Sequence, residues 1–168
     1  MNKKIFDKII GLAEISLSEG NYPVGAALVI DGKLVAYGRN TAESNKNYTL
    51  HAETSMLIDN AETLLTSWKE GRNIDLYSTL EPCLMCLGVA VMNKVNSIYY
   101  IQKDPLAGAC GIDTTSLGKR YHSNFPNIVH CDVSQRPKEM IIDFLDKQIS
   151  KKVRLKWSLE FREMLLKS

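Results

Sequence analysis

Apolar residues recur at helical spacing from the start of the chain: Ile5, Ile9, Leu12 and Ile15 mark one face of a helix that Gly20 should end. The period then shortens. Residues 24–30 and 34–38 read as strands, and the Asp31-Gly32 pair between them is a tight-turn signal that makes them antiparallel neighbours. A helix is expected from Ala52 to about Leu65. Residues 74–79 and 97–101 read as strands flanking a short apolar helix that begins near Leu84, and this strand-helix-strand unit implies parallel pairing. Between residues 102 and 126 turn formers outnumber periodic positions, which predicts a loop over the active site, with a short helix near residues 114–119. A last strand is expected over residues 127–133. From Pro137 to about Ser168 the pattern is helical, with Met140, Ile141, Phe144 and Leu145 on one face, then Val153, Leu155, Trp157, Phe161, Leu165 and Leu166 beyond a break near Ile149-Ser150.

Composition fits one α/β domain over residues 1–168, with a C-terminal helical extension over about 137–168. The apolar and charged fractions, 45% and 24%, are those of an ordinary globular protein, which argues against disorder and membrane residence. The first seven residues carry Asp7 and no long apolar core, so they do not read as a signal peptide. Four cysteines, two of them far apart in sequence, suit a reducing cytoplasm, where Cys110 and Cys131 read as buried thiols. The net charge of +2 is small. The basic run Lys147, Lys151, Lys152, Arg154 and Lys156, beside Trp157, could meet a polyanion, but a solvated helix face is the preferred reading.

The chemistry lies in His51-Ala52-Glu53 and Pro82-Cys83-Leu84-Met85-Cys86. His51, Cys83 and Cys86 offer three zinc ligands, and three protein ligands leave the fourth tetrahedral position of a catalytic zinc to water. Two thiolates and a neutral imidazole cancel the charge of Zn2+, leaving it acidic enough to bring a water's pKa toward neutrality. Cys83 and Cys86 are three residues apart at a helix start, and His51 should open its own helix, so all three sit at helix ends that favour anionic ligands. Glu53, two residues from His51, is left over for proton transfer. A structural zinc site would have no use for it.

These two motifs resemble those of the cytidine and deoxycytidylate deaminase superfamily of zinc enzymes. Within it, Thr79-Leu80-Glu81-Pro82-Cys83-Leu84-Met85-Cys86 and the strand Tyr22-Pro23-Val24-Gly25-Ala26-Ala27-Leu28-Val29 look most like the bacterial tRNA adenosine deaminase branch, a likeness that spans roughly residues 5–148. The resemblance implies a three-layer α/β/α cytidine-deaminase-like fold with a central five-stranded mixed sheet, its last strand parallel to the fourth. It implies a zinc-dependent hydrolase that releases ammonia, with Zn2+ on His51, Cys83 and Cys86 and Glu53 as the catalytic proton shuttle. Asn40, in Gly38-Arg39-Asn40, would hold the substrate, and the Ala52 backbone N–H and Cys83 carbonyl would orient the reacting group.

The substrate implied is adenosine, in tRNA, converted to inosine. Two stretches depart from that branch, Asn47-Tyr48-Thr49-Leu50 before His51 and an acid in Phe144-Leu145-Asp146-Lys147, and Thr49-Leu50-His51 also resembles free cytosine deaminases. A small-molecule deaminase of cytosine, guanine or a free nucleoside is therefore the rival reading, and a non-catalytic zinc-stabilised binding protein the rival from another class. The helix after Cys83 is apolar nearly all round and must be buried on more than one side. A homodimer through it is expected, as the family implies and as two-fold dimers are the commonest oligomers.

Overall fold

A computed structural model describes residues 3–167. The elements run α1 (Lys3–Ser18), β1 (Gly25–Ile30), β2 (Lys33–Arg39), α2 (Ala52–Asp59), α3 (Ala61–Lys69), β3 (Ile74–Leu80), α4 (Leu84–Met92), β4 (Ser97–Gln102), a 3-10 turn (Thr114–Ser116), α5 (Lys119–His122), β5 (Asn127–His130), α6 (Arg136–Ser150) and α7 (Leu155–Lys167). The five strands form one mixed sheet in the order β2-β1-β3-β4-β5. β1 pairs antiparallel with β2 and β3, while β3–β4 and β4–β5 are parallel, as the expected crossovers require. The hairpin turn has Asp31 at φ 50° and Gly32 at φ 74°, the left-handed pair that a two-residue turn demands.

The sheet separates two apolar clusters. Ile5, Phe6 and Ile9 of α1 pack on one face against Ala27, Val29 and Tyr77. On the other face Ala26, Leu28 and Leu76 meet Met56 and Leu57 of α2 and Leu87 and Ala90 of α4. Central β3 is buried at every residue, Ile74 to Leu80, as a strand covered on both faces must be. No helix among the described residues is long and apolar enough to cross a membrane.

Several elements differ from their sequence pattern for physical reasons. Ile15 is exposed and Ser16 takes the inward place, because the Ser16 hydroxyl donates to the Asn40 carbonyl at 2.9 Å. The helix expected over residues 52–65 is two helices, α2 and α3, broken where the Asn60 amide turns back to donate to the Met56 carbonyl. β5 ends at His130. The helical tail breaks at residues 151–154, two residues beyond the expected place, with Lys152 and Arg154 at positive φ. Val153, Leu155 and Leu166, expected on its apolar face, are exposed, whereas Phe161 and Leu165 are buried. Ser168, where that helix was expected to end, and Met1-Asn2 of the N-terminal stretch lie outside the described residues.

Candidate active site

His51 and Cys83 occupy equivalent places. Each is the residue before a helix, in extended backbone (φ −72°, ψ 156° and φ −71°, ψ 172°), and neither side chain caps its helix. Their carbonyls take the first helical bonds, from Ser55 N–H at 3.0 Å and Leu87 N–H at 2.9 Å, which leaves imidazole and thiol free. Cys86 lies in the first turn of α4 and is buried. The structure thus brings the three predicted ligands together, their donor atoms all within 4.8 Å of one another.

Those atoms fit a tetrahedral zinc. His51 Nδ1 lies 3.7 Å from Cys83 Sγ and 3.5 Å from Cys86 Sγ, and the two sulfurs are 3.7 Å apart. Zinc–sulfur bonds of about 2.3 Å and zinc–nitrogen bonds of about 2.0 Å, at tetrahedral angles, require edges of about 3.8 Å between sulfurs and about 3.5 Å between nitrogen and sulfur. The Cys83 thiol is brought down to about 4, chiefly by its hydrogen bond with Cys86 and then by the His51 ring beside it. That same hydrogen bond and burial push Cys86 up, and Thr54 Oγ1 lies 3.2 Å from its sulfur. A bound cation deprotonates a coordinating thiol outright. Contact with Cys83 and the charge of Glu53 raise His51 against the effect of burial.

Glu53 falls in the first turn of α2, outside the three-donor group, with its carboxyl 3.6 Å from Cys86 Sγ. It is buried, and burial lifts its carboxyl above the ordinary glutamate range. The Ser78 hydroxyl, on β3, donates to Glu53 Oε1 at 2.9 Å and fixes the rotamer. Asn40, just after β2, is buried and rigid: its backbone N–H donates to Val24 O at 2.9 Å, and its Oδ1 accepts the Ala42 N–H at 3.0 Å. Nδ2 is thus the group it can offer a ligand. Ala52 is fully buried at the first helical position, where the backbone N–H has no partner within its own helix. Gly38 lets β2 approach α2 this closely, since a Cβ there would stand 2.6 Å from the Ala52 carbonyl oxygen.

Around these residues lies a cavity of about 170 Å³ lined by Asn40, His51, Glu53 and Cys83. The loop after β4 forms one side, as expected, and Glu81 organises it: its carboxylate accepts the backbone N–H of Asp104 and of Cys110, each at 3.1 Å. Gly108 packs so close to Glu81 that a Cβ would lie 2.5 Å from its carboxyl. Tyr22, Trp157 and Phe161 supply an aromatic wall. At the rim Arg154 donates to Glu43 at 2.8 Å and to the Tyr48 hydroxyl, with its guanidinium 4.9 Å from the Tyr48 ring centre. Sequence reasoning missed Ser78, Glu81 as a loop anchor, and the α7 wall. Only Glu81 carried a local signal, its place in the Thr79-Leu80-Glu81-Pro82-Cys83 stretch. Cys110 and Cys131 are buried free thiols away from the metal group.

Residues 1–102 match the cytidine and deoxycytidylate deaminase zinc-binding region. A tRNA-specific adenosine deaminase of Bacillus subtilis is 39% identical over 94 residues, 55% of this chain and 56% of that protein. A tRNA-specific adenosine deaminase 2 of Xenopus tropicalis is 34% identical over 108 residues, 62% of this chain and 64% of the relative. The matched stretch thus spans less than two thirds of either relative. Among solved structures, one from a study of A-to-I editing by tRNA:A34 deaminases at the wobble position superposes with a TM-score of 0.62 at 24% identity, covering 77% of this chain and 98% of the other. That likeness shows the fold. The cofactor is Zn2+, from the matched zinc-binding region and the placement of the His/Cys/Cys group.

Proposed function

Because the chain belongs to the cytidine and deoxycytidylate deaminase family, we propose that it is a zinc-dependent hydrolase that removes the exocyclic amine of an adenosine-type base, converting adenosine to inosine. The observation that carries this reading is a buried carboxyl, Glu53, beside a three-donor metal group and not part of it. His51, Cys83 and Cys86 hold the zinc, which when bound supplies the Lewis acidity that makes water nucleophilic near neutral pH. Glu53 accepts a proton from the attacking water and delivers it to the ring nitrogen beside the reacting carbon, then takes the proton left on the added hydroxyl as the C–N bond breaks and passes it to the amine, which leaves as ammonia. A carboxyl raised by burial is suited to both halves of that task. Asn40 Nδ2 and the Ala52 N–H orient the substrate. The Cys83 carbonyl already accepts the Leu87 N–H and has one lone pair left for the amine.

The names of the relatives make an adenosine in tRNA the first candidate substrate. What supports a free base or nucleoside instead is the enclosing wall: Trp157 and Phe161 of α7 line the cavity beside Asn40 and Glu53. We further infer a homodimer through α4, where Leu84 and Met92 are 65% and 46% exposed. The four free thiols suit residence in the cytoplasm.

Ammonia release from a tRNA anticodon stem-loop, adenosine, adenine, guanine, cytosine, cytidine and deoxycytidylate tests the reading. An adenosine-type substrate should react, and Glu53→Gln should keep its zinc while turnover falls about 10²–10⁴-fold. Unchanged turnover would remove Glu53 from the mechanism, and no reaction with any of these substrates would favour the non-catalytic binding protein. Activity on the stem-loop should fall steeply with salt, whereas salt-insensitive turnover of adenosine selects the small-molecule reading.

A further inference from the structure

Tyr22 lines the cavity from the segment between α1 and β1, and the chemistry above makes no use of it. Its ring is clamped by three aromatic neighbours from the C-terminal helices. Phe144 meets it edge-on at 5.2 Å and 90°, Phe161 stacks at 6.4 Å and 23°, and Trp157 leans on it at 6.4 Å and 59°. Packing of that kind needs only a ring. The Tyr22 hydroxyl, however, is buried with no hydrogen-bond partner among the described residues. Burial, reinforced by the charge of Asp104, keeps the phenol protonated and therefore a donor.

Several acceptors of the pocket are already engaged by the protein. Asn40 Oδ1 accepts from Ala42, Glu53 from Ser78, both Glu81 oxygens from loop amides, and Asp104 Oδ1 from the Leu106 and Ala107 N–H groups. The Tyr22 hydroxyl is not engaged, and an unpartnered buried hydroxyl destabilises a fold that phenylalanine would pack equally well. Because Tyr22 lines the cavity, an acceptor that enters it is the partner that would satisfy this donor.

We propose that Tyr22 is a specificity-determining residue whose hydroxyl donates a hydrogen bond to an acceptor of the bound nucleoside, a ring nitrogen or a ribose oxygen. The choice of adenosine as probe rests on the function proposed above; the role of the hydroxyl does not. A site that offers a fixed donor discriminates against an analogue lacking the matching acceptor, because the donor is then left buried and unpaired.

The test is Tyr22→Phe in the full-length, zinc-loaded chain. Binding is read from quenching of Trp157 fluorescence, with adenosine, 3-deazaadenosine, 7-deazaadenosine and 2′-deoxyadenosine as probes. The variant should keep its zinc and melt at the same or a higher temperature, since it loses an unsatisfied polar group. It should bind adenosine about 3- to 10-fold more weakly, the range of one neutral hydrogen bond. Where turnover is measurable, the loss should appear in KM and leave kcat within about twofold. One analogue should show the same weakening in the wild type and none further in the variant, and which analogue does so identifies the acceptor as ring nitrogen or ribose oxygen. The proposal is overturned if the variant binds adenosine as the wild type does, if both proteins discriminate equally against every analogue, or if the wild type binds none of the four. Tyr22-dependent binding without ammonia release sinks the deaminase reading alone; ammonia release with Tyr22-independent binding sinks this one alone.

Discussion

The metal floor of the pocket and its aromatic wall are built on different length scales. His51, Glu53, Cys83 and Cys86 all lie within two residues of the first residue of α2 or α4, so two helix starts place four functional groups. Trp157 and Phe161 come from α7, with Trp157 at 71 residues beyond Cys86 (157 minus 86), and reach the pocket only because α7 packs on α6 and against Tyr22. The floor also falls within the stretch that matches the family, residues 1–102, whereas the α7 part of the wall lies beyond it. Chemistry and enclosure therefore draw on different parts of this chain: the metal floor on the stretch that matches the family, and the wall on Tyr22 packed against the C-terminal helices.

Loss of a metal ligand should produce the largest effect and confine it to the floor. Cys83→Ala or Cys86→Ala leaves two donors where a tetrahedral site with one open position needs three. Zinc content after dialysis should drop well below one per chain, and ammonia release should disappear with it. Full zinc and full activity in either variant would remove that residue from the ligand set. Far-ultraviolet circular dichroism should stay close to that of the wild type, because the α7 wall does not depend on the metal group.

Phe161→Ala strikes the wall instead. The ring is 2% exposed, belongs to the main apolar cluster and packs on both Tyr22 and Trp157. Truncating a buried phenylalanine costs about 3–5 kcal/mol of folding stability, measurable by denaturant unfolding, while zinc per folded chain should remain unchanged. Parallel loss of zinc in the folded protein would show that floor and wall are one unit and would break the comparison.

The two regions also differed in how well the sequence announced them. His51-x-Glu53 and Cys83-x-x-Cys86 each close within one helical turn, so spacing alone specifies their geometry, and the Asp31-Gly32 turn and crossover strands are legible for the same local reason. Where a choice depends on long-range packing, pattern misleads. Ile15 and Ser16 exchange places because Asn40, 24 residues on, offers a buried carbonyl to the serine. In the tail, Val153, Leu155 and Leu166 carry the same apolar signal as Phe161 and Leu165, and only the arrival of α7 beside α6 and Tyr22 decides which are buried. Tyr22 itself read as part of a strand-start motif. Its role as a wall residue depends on three rings from α6 and α7, which no local window contains.

The smallest expected effect comes from the rim, and two substitutions of opposite charge sharpen it. Arg154 joins the turn before α7 to Glu43 and Tyr48 on the other side of the cavity mouth. Both partners of the ion pair are about one-third exposed, at 35% and 33% for their side chains, so breaking it should cost no more than about 1 kcal/mol of stability. Arg154→Ala and Glu43→Gln should therefore melt within a few degrees of the wild type. If the pair narrows the mouth, each change should raise kcat/KM for an anticodon stem-loop relative to adenosine, by up to about fivefold, the rate equivalent of that 1 kcal/mol. If Arg154 acts instead as a cation for the phosphate backbone, the two must diverge. Arg154→Ala would then lower the ratio and flatten its salt dependence, while Glu43→Gln, which frees the guanidinium, would raise both. A shift in the same direction for both variants identifies a steric clasp, and opposite shifts identify an electrostatic contact, because only the charge differs in sign between them.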